Sequence, residues 1–363
     1  MIMVRLARRQ VLQVLAGGAA LSALPGCGDG GTVATVDTRL PAGPGCAGST
    51  ADQIVADLDL SGQVALVTGC TSGLGFETMR VLASRGAHVI GTGRTLEKAR
   101  RACELVDGIT TPVALELADF QSVVACANEV RAMDLALDML ILNAGINTFG
   151  ELELVGGIEK IFVVNFLGHF VLVHHLLPGM LAAERGRIVH VSSRAAYRQA
   201  PPEGIDFDNL RGEGKFDAGE AYGRSKLANA LFSLELARRL ADSGVTSNAI
   251  HPGLVQTRIA RTAPEPVRIA FKWFGGLIAK TPAEGAATQV YAATSPRLAG
   301  LSGAYLVDCN PMVLSGSQHL FDAPMAARLW AVAEEMTADY LQAPPTQSEA
   351  PSVPAAEQER HPV

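Results

Sequence analysis

Cysteine pairs at metal or disulfide spacing are missing from this sequence. Its 6 cysteines are scattered, with no CxxC and no histidine partners, which argues against a zinc module and against a disulfide scaffold. Any cofactor is therefore expected to be organic. Basic charge is not in excess either: Lys plus Arg number 30 against 36 Asp plus Glu, a formal net charge of -6. A nucleic-acid partner is excluded on that ground. Aromatic residues make up only 5% and charged residues 18%, yet 48% of the 363 residues are hydrophobic, enough to bury a full core. The apolar run near the N-terminus, Val11 to Leu24, is too short to span a bilayer comfortably.

That run lies between Arg5, Arg8 and Arg9 on one side and Pro25, Gly26 and Cys27 on the other. This is the charged, apolar and small-residue succession of a signal peptide over residues 1–27. Arg8-Arg9 before Gln10-Val11-Leu12 is similar to a twin-arginine export signal, and Leu24-Pro25-Gly26-Cys27 to a bacterial lipoprotein cleavage box. A lipid on Cys27 would bring the protein to a membrane surface. The expected location is then outside the cytoplasm, anchored to the outer side of the cytoplasmic membrane or in the periplasm; the alternative is a cytoplasmic protein whose start lies downstream. Residues 28–50 have linker composition and 342–363 form a Pro-rich polar tail expected to be disordered. Residues 51–341 remain as one domain.

Within that domain β-branched runs alternate with amphipathic stretches, the pattern of βαβ units and a parallel sheet. Seven strands are expected, at 64–68, 88–92, 112–117, 137–143, 187–192, 246–251 and 304–309. Their near-continuous apolar character fits burial on both faces. Helices are expected from Phe76 to Ser84, Leu96 to Val106, Phe120 to Met133, Ile158 to Leu177 and Tyr222 to Ala241. The fold class that follows is α/β, a single doubly wound parallel seven-stranded sheet with helices on both faces.

Directly after the first strand comes Thr68-Gly69-Cys70-Thr71-Ser72-Gly73-Leu74-Gly75, and a helix opens at once. Glycines there let backbone N–H groups approach a pyrophosphate at the positive end of the helix. The GxxxGxG spacing sets this loop apart from the commoner GxGxxG. The second strand ends in Gly91-Thr92-Gly93-Arg94, with no acidic residue to hold an adenosine ribose. Arg94 offers a charged fork suited to a 2′-phosphate, so the expected cofactor is NADP(H). Asn143-Ala144-Gly145 ends the fourth strand, and Asn165 interrupts the apolar VNFLGHF. Ser192-Ser193 closes the fifth strand, where alternation sends the two side chains to opposite sides. Tyr222 and Lys226 are four apart and share a helix face. An ammonium beside a phenol stabilises phenolate, as proton exchange with an alcohol or carbonyl requires. His169, His174 and His175 lack metal-ligand spacing and read as packing or surface residues.

Taken in this order, TGCTSGLG, NAG, the Asn165 helix, Ser193, YGRSK and the run from His251 to Thr257 resemble the short-chain dehydrogenase/reductase family over nearly all of 51–341. ADLDLSGQVALVTG, GFET, LGHF and SKLANALFSLELARRL are similar to its branch of retinol dehydrogenases and the WW-domain oxidoreductase. The resemblance implies a Rossmann-type fold and a catalytic tetrad of Asn165, Ser193, Tyr222 and Lys226. In it Tyr222 is the general acid or base and Ser193 bonds the substrate oxygen. Lys226 holds the nicotinamide ribose and depresses the Tyr222 pKa, while Asn165 orders a water. Cofactor contacts are implied for Gly69, Thr71, Ser72, Gly73, Leu74 and Gly75, for Arg94, for Asn143, Ala144 and Gly145, for Tyr222 and Lys226, and for Pro252, Gly253 and Thr257. Glu116 and Leu117 stand where the family often has Asp-Leu. The segment between Ser193 and Tyr222 would wall the substrate cleft, and Val267 to Lys280 would form an apolar lid or a core helix. The implied activity is NADP(H)-dependent interconversion of an alcohol and a carbonyl, with a lipophilic aldehyde or ketone or a retinol-like molecule as substrate and a homo-oligomer as the assembly. The alternative is a non-catalytic NADP-binding scaffold or sensor.

Overall fold

The structure, a computed structural model, describes residues 33–40, 43, 47–148, 150–255, 279–315 and 319–342. The expected signal peptide, Thr257, nearly all of 267–280 and the tail from 343 lie outside the described residues.

The seven anticipated strands form β2 (Val64–Val67), β3 (His88–Gly93), β4 (Thr110–Ala114), β5 (Met139–Leu142), β6 (Gly186–Val191), β7 (Val245–His251) and β8 (Tyr305–Val307). They run parallel in the order β4-β3-β2-β5-β6-β7-β8. Pro112 lies in β4, at the sheet edge, where a missing N–H is tolerated.

A seven-stranded, purely parallel sheet is nevertheless an underestimate, because two antiparallel strands extend the other edge to nine. β9 (Asn310–Ser315) folds back on β8 across Asp308 and Cys309, whose φ angles of 50° and 62° put both in the left-handed region of a two-residue hairpin turn. β1 (Val33–Val36) then pairs with β9, Val33 opposite Ser315 and Val36 opposite Met312. Residues 33–36 are thus sheet, not the linker their Gly-rich surroundings indicate.

Among the described residues seven longer helices flank the sheet: α1 (Gly73–Ala83), α2 (Leu96–Cys103), α3 (Phe120–Ala132), α4 (Lys160–Ala182), α5 (Ala218–Arg239), α6 (Pro282–Thr294) and α7 (Ala323–Thr337). Alternation along β2 shows the two layers. Ala65 and Val67 pack with Met79 and Leu82 of α1 and Tyr291 of α6. Leu66 packs with Phe166 and Phe170 of α4 and Phe232 of α5. Helix α4 is long and apolar enough to cross a membrane, but 83% of its apolar window is buried inside the fold, as a core helix requires. Its stretch Val163–Leu167 opens into a π-helical turn.

After β4 the chain crosses back to place β5 on the opposite side of β2. The carboxyl ends of β2 and β5 therefore border a crevice at the point where strand order reverses, the usual ligand position in such sheets.

Candidate active site

At that crevice the β2 and β5 loops are fastened to each other. Thr68 Oγ1 accepts from the backbone N–H groups of Asn143 and Ala144, each at 2.9 Å, and Asn143 Nδ2 donates to the Thr68 carbonyl at 2.8 Å. Gly69 has φ +75° and its N–H donates to Thr92 Oγ1 at 3.2 Å. A β-carbon on Gly75 would strike the Gly69 carbonyl and the Asn143 amide. Gly75→Ala is therefore expected to destabilise the fold by about 1–3 kcal/mol, the usual cost of overpacking, and to weaken dinucleotide binding; urea denaturation and cofactor titration would measure both. Ser72, the N-cap of α1, makes no side-chain capping bond. The first N–H groups of α1 thus lack a side-chain acceptor, an arrangement that suits a diphosphate. Arg94 is exposed just past β3, and among the described residues no acidic side chain is paired with it. Glycine loop, bare helix start and free guanidinium together fit a phosphorylated dinucleotide.

Two implied cofactor contacts are placed differently from the sequence pattern. β4 ends at Ala114, so Glu116 and Leu117 lie in the following loop and not in the strand. The Glu116 carboxylate turns back to accept the Ala118 N–H at 3.1 Å, and Leu117 is buried against Gly168.

The tetrad residues come from three elements. Ser192 and Ser193 diverge: Ser192 is buried and donates to the Lys226 carbonyl at 2.7 Å, whereas the half-buried Ser193 hydroxyl accepts the Ala195 N–H at 3.2 Å and lies near enough to the Tyr222 phenol to favour its ionised form. Lys226 is 3% exposed and donates from Nζ to the Val191 carbonyl at 2.9 Å. Burial without a counter-ion pushes its ammonium down to about 8. The Tyr222 phenol does not follow the sequence argument. Burial pushes it up to about 12 despite the nearby Ser193 hydroxyl, and the Lys226 ammonium stands 5.9 Å from the ring centroid, directed at Val191. Desolvation wins because the cation is committed to a backbone carbonyl.

Asn165 is wholly buried. Its carboxamide accepts from Ile146 N–H at 2.7 Å and donates to the Ile146 carbonyl and Ser225 Oγ, each at 2.9 Å. Both amide hydrogens are spent on protein partners, so the side chain clamps the chain after Asn143-Ala144-Gly145 and has no donor left for the water implied by the resemblance. A β-carbon on Gly145 would lie 3.1 Å from Asn165 Oδ1 and 3.2 Å from Lys226 Nζ; the small residue lets this loop approach the tetrad. On the far side, Gly253 has φ +90° beside the Lys280 side chain, which pairs with Asp308 at 2.5 Å. Pro252 is buried next to His251, whose Nδ1 accepts the Arg194 N–H at 3.2 Å.

Sequence patterning passes over His169. It is 1% exposed and hydrogen-bonded on both ring nitrogens, to Thr68 and to the backbone of Asn165. The signal is its position four residues after Asn165, on the same face of α4. His174 and His175 bond the carbonyls of Leu341 and Tyr340, pinning the chain beyond α7 to α4.

Known proteins resemble this arrangement closely. Residues 63–204 match the family described as short chain dehydrogenase. Short-chain dehydrogenase TIC 32 B, chloroplastic, of Brassica napus is 36% identical over 295 residues, 78% of this chain and 91% of that protein. Retinol dehydrogenase 11 of Mus musculus is 38% identical over 284 residues, covering 76% and 87%. Among solved structures, an uncharacterized protein from Mycobacterium Paratuberculosis superposes with a TM-score of 0.62 at 33% identity, covering 80% of this chain and 98% of that one.

Proposed function

Because the chain belongs to the short-chain dehydrogenase/reductase family, an oxidoreductase family acting on CH–OH groups, we propose that it interconverts a lipophilic alcohol and its carbonyl compound using NADP(H). The carrying observation is Tyr222 with the buried Lys226 ammonium 5.9 Å from its ring and the Ser193 hydroxyl nearby, next to the glycine-lined crevice. The likeness to a retinol dehydrogenase supports an apolar substrate.

The nicotinamide, when bound, supplies or takes the hydride. Tyr222 passes a proton to the nascent alkoxide in reduction and takes it back in oxidation, while Ser193 orients the same substrate oxygen. Lys226 holds a ribose and lends its positive charge to the cleft. Asn165 fixes the loop that carries Gly145 against both. The α1 N-terminus takes the diphosphate and Arg94 the 2′-phosphate.

Cofactor choice tests the Arg94 assignment directly. NADPH is expected to bind more tightly than NADH, by the roughly 1.5–3 kcal/mol of a charge-assisted contact, and Arg94→Asp should reverse the order. Equal wild-type affinities would sink the assignment.

A second reading, a dinucleotide-binding scaffold or sensor without turnover, draws on one observation: in the unliganded cleft the phenol is pushed up to about 12 and the ammonium faces Val191, not Tyr222. Incubating the protein with NADPH and a panel of aldehydes and ketones separates the two, since binding without oxidation favours the scaffold.

The domain boundaries and location are read from the sequence. We propose export by the twin-arginine route, which carries folded, cofactor-loaded proteins, with Cys27 as the lipid-bearing residue. Cell fractionation beside an Arg8→Lys/Arg9→Lys variant and Cys27→Ala tests this; full-length soluble cytoplasmic protein in all three would overturn it.

A further inference from the structure

The two halves of the cleft meet through one imidazole. Thr68 Oγ1 already accepts two obligate backbone donors, Asn143 N–H and Ala144 N–H. Both its lone pairs are engaged, so its own proton must be given away. His169 Nε2 lies 3.0 Å from it; the other candidate, the Ile141 carbonyl, is at 3.5 Å. The imidazole must therefore present a bare Nε2 to Thr68. Its other nitrogen, Nδ1, lies 3.2 Å from the Asn165 carbonyl, which can only accept. A proton on Nδ1 and none on Nε2 satisfies every group in the chain. The opposite tautomer would aim a third donor at Thr68 and set a lone pair against the Asn165 carbonyl, and an imidazolium would repeat the first fault. Complete burial and the nearby Lys226 ammonium also hold the ring uncharged, pushing it down to about 4.

The bridged groups belong to different parts of the site. Thr68 opens the glycine loop and anchors the loop that begins at Asn143. Asn165 lies in the π-helical turn of α4, and its amide reaches Ile146 and Ser225, whose hydroxyl donates to the Tyr222 carbonyl at 2.8 Å. A turn of this kind often marks a functional site.

We propose that His169 is a positioning residue: a neutral imidazole protonated at Nδ1 that ties the cofactor cradle at Thr68 to the backbone of Asn165, and so keeps the glycine loop and the Tyr222 helix in register. The inference rests on the oxidoreductase reading for its kinetic consequence but not for its chemistry. Two readouts keep them apart. In ¹⁵N-labelled full-length protein without cofactor, long-range ¹H–¹⁵N spectra assigned against His169→Gln should show the Nδ1–H tautomer near pH 7. An Nε2–H ring or an imidazolium would overturn the proposal whether or not the protein turns over.

With NADPH and a carbonyl substrate, His169→Phe should raise the NADPH Kd and lower kcat at saturating cofactor by about 10- to 100-fold, the scale of a small misplacement of reacting groups. Thr68→Val is not the matching variant, because it would also strand the Asn143 and Ala144 N–H groups that Thr68 Oγ1 accepts. If His169→Phe does not fold, His169→Gln, which keeps an acceptor for Thr68 but not the same reach to Asn165, should fall between it and wild type. A lower Tm with unchanged kcat and Kd would reduce His169 to packing and overturn the proposal. Wild-type protein that binds NADPH without turning over any carbonyl would overturn the oxidoreductase reading instead; the tautomer and the NADPH Kd still decide the role of His169.

Discussion

Replacing Tyr222 with phenylalanine should lower turnover by about 10²- to 10⁴-fold, the usual worth of a general acid or base, while NADPH binds nearly as before. The change removes one hydroxyl, which lies near Ser193, and leaves the ring and the rest of the crevice unaltered. Stopped-flow oxidation of NADPH with a good carbonyl substrate, beside a fluorescence titration of cofactor, measures both quantities. Retention of near-full activity would mean that the proton comes from elsewhere.

Lys226→Met carries the second large effect and a sign opposite for stability and activity. Among the described residues the buried ammonium has one hydrogen-bond partner, the Val191 carbonyl, which also accepts from Asn229 Nδ2 at 3.3 Å. Methionine keeps the unbranched stem and removes the buried charge, and Val191 keeps Asn229. The unliganded variant should therefore be more stable than wild type near pH 7, since breaking up an uncompensated buried cation is often favourable. The pH dependence follows from the lysine moving from an ordinary 10.5 down to about 8 on folding. Between those values the unfolded chain holds the extra proton, so wild-type stability rises with pH across roughly 8 to 10.5, by about 3–4 kcal/mol in total. Below 8 both states are protonated and the full cost of the buried charge persists. The advantage of the variant should thus shrink as pH approaches 10, read as converging urea midpoints, whereas cofactor affinity and turnover are both impaired at every pH.

The elements legible in the sequence were those whose signals are local. Continuous runs such as Val64–Val67 and Met139–Leu142 announce buried strands, and the GxxxGxG loop announces the helix that follows it. The hairpin from β8 to β9 was hidden because its turn uses Asp308 and Cys309 at positive φ where glycine or asparagine is the usual cue. β1 was hidden because its three β-formers, Val33, Thr35 and Val36, sit among glycines and prolines and pair with a strand about 280 residues on. Of the site, residue identities were readable, but their use of hydrogen bonds was not. Nothing local says that the Asn165 amide is exhausted by Ile146 and Ser225, or that the Lys226 ammonium prefers a backbone carbonyl to a phenol. Those depend on which groups the fold brings within 3 Å.

The pairing of Val33 at the sheet edge also sets a leash. A flexible stretch over 28–50 would let a lipid on Cys27 hold the catalytic domain as far as about 80 Å from a bilayer when fully extended. With Val33 already paired opposite Ser315, only five residues, 28–32, would separate such an anchor from the sheet, a reach of about 20 Å at most. Under the proposed lipidation, a domain tethered so briefly would not roam above the headgroups. It would be held with its antiparallel edge toward the lipid, where an apolar alcohol dissolved in the membrane would be a neighbour and not a solute to be met by diffusion through water.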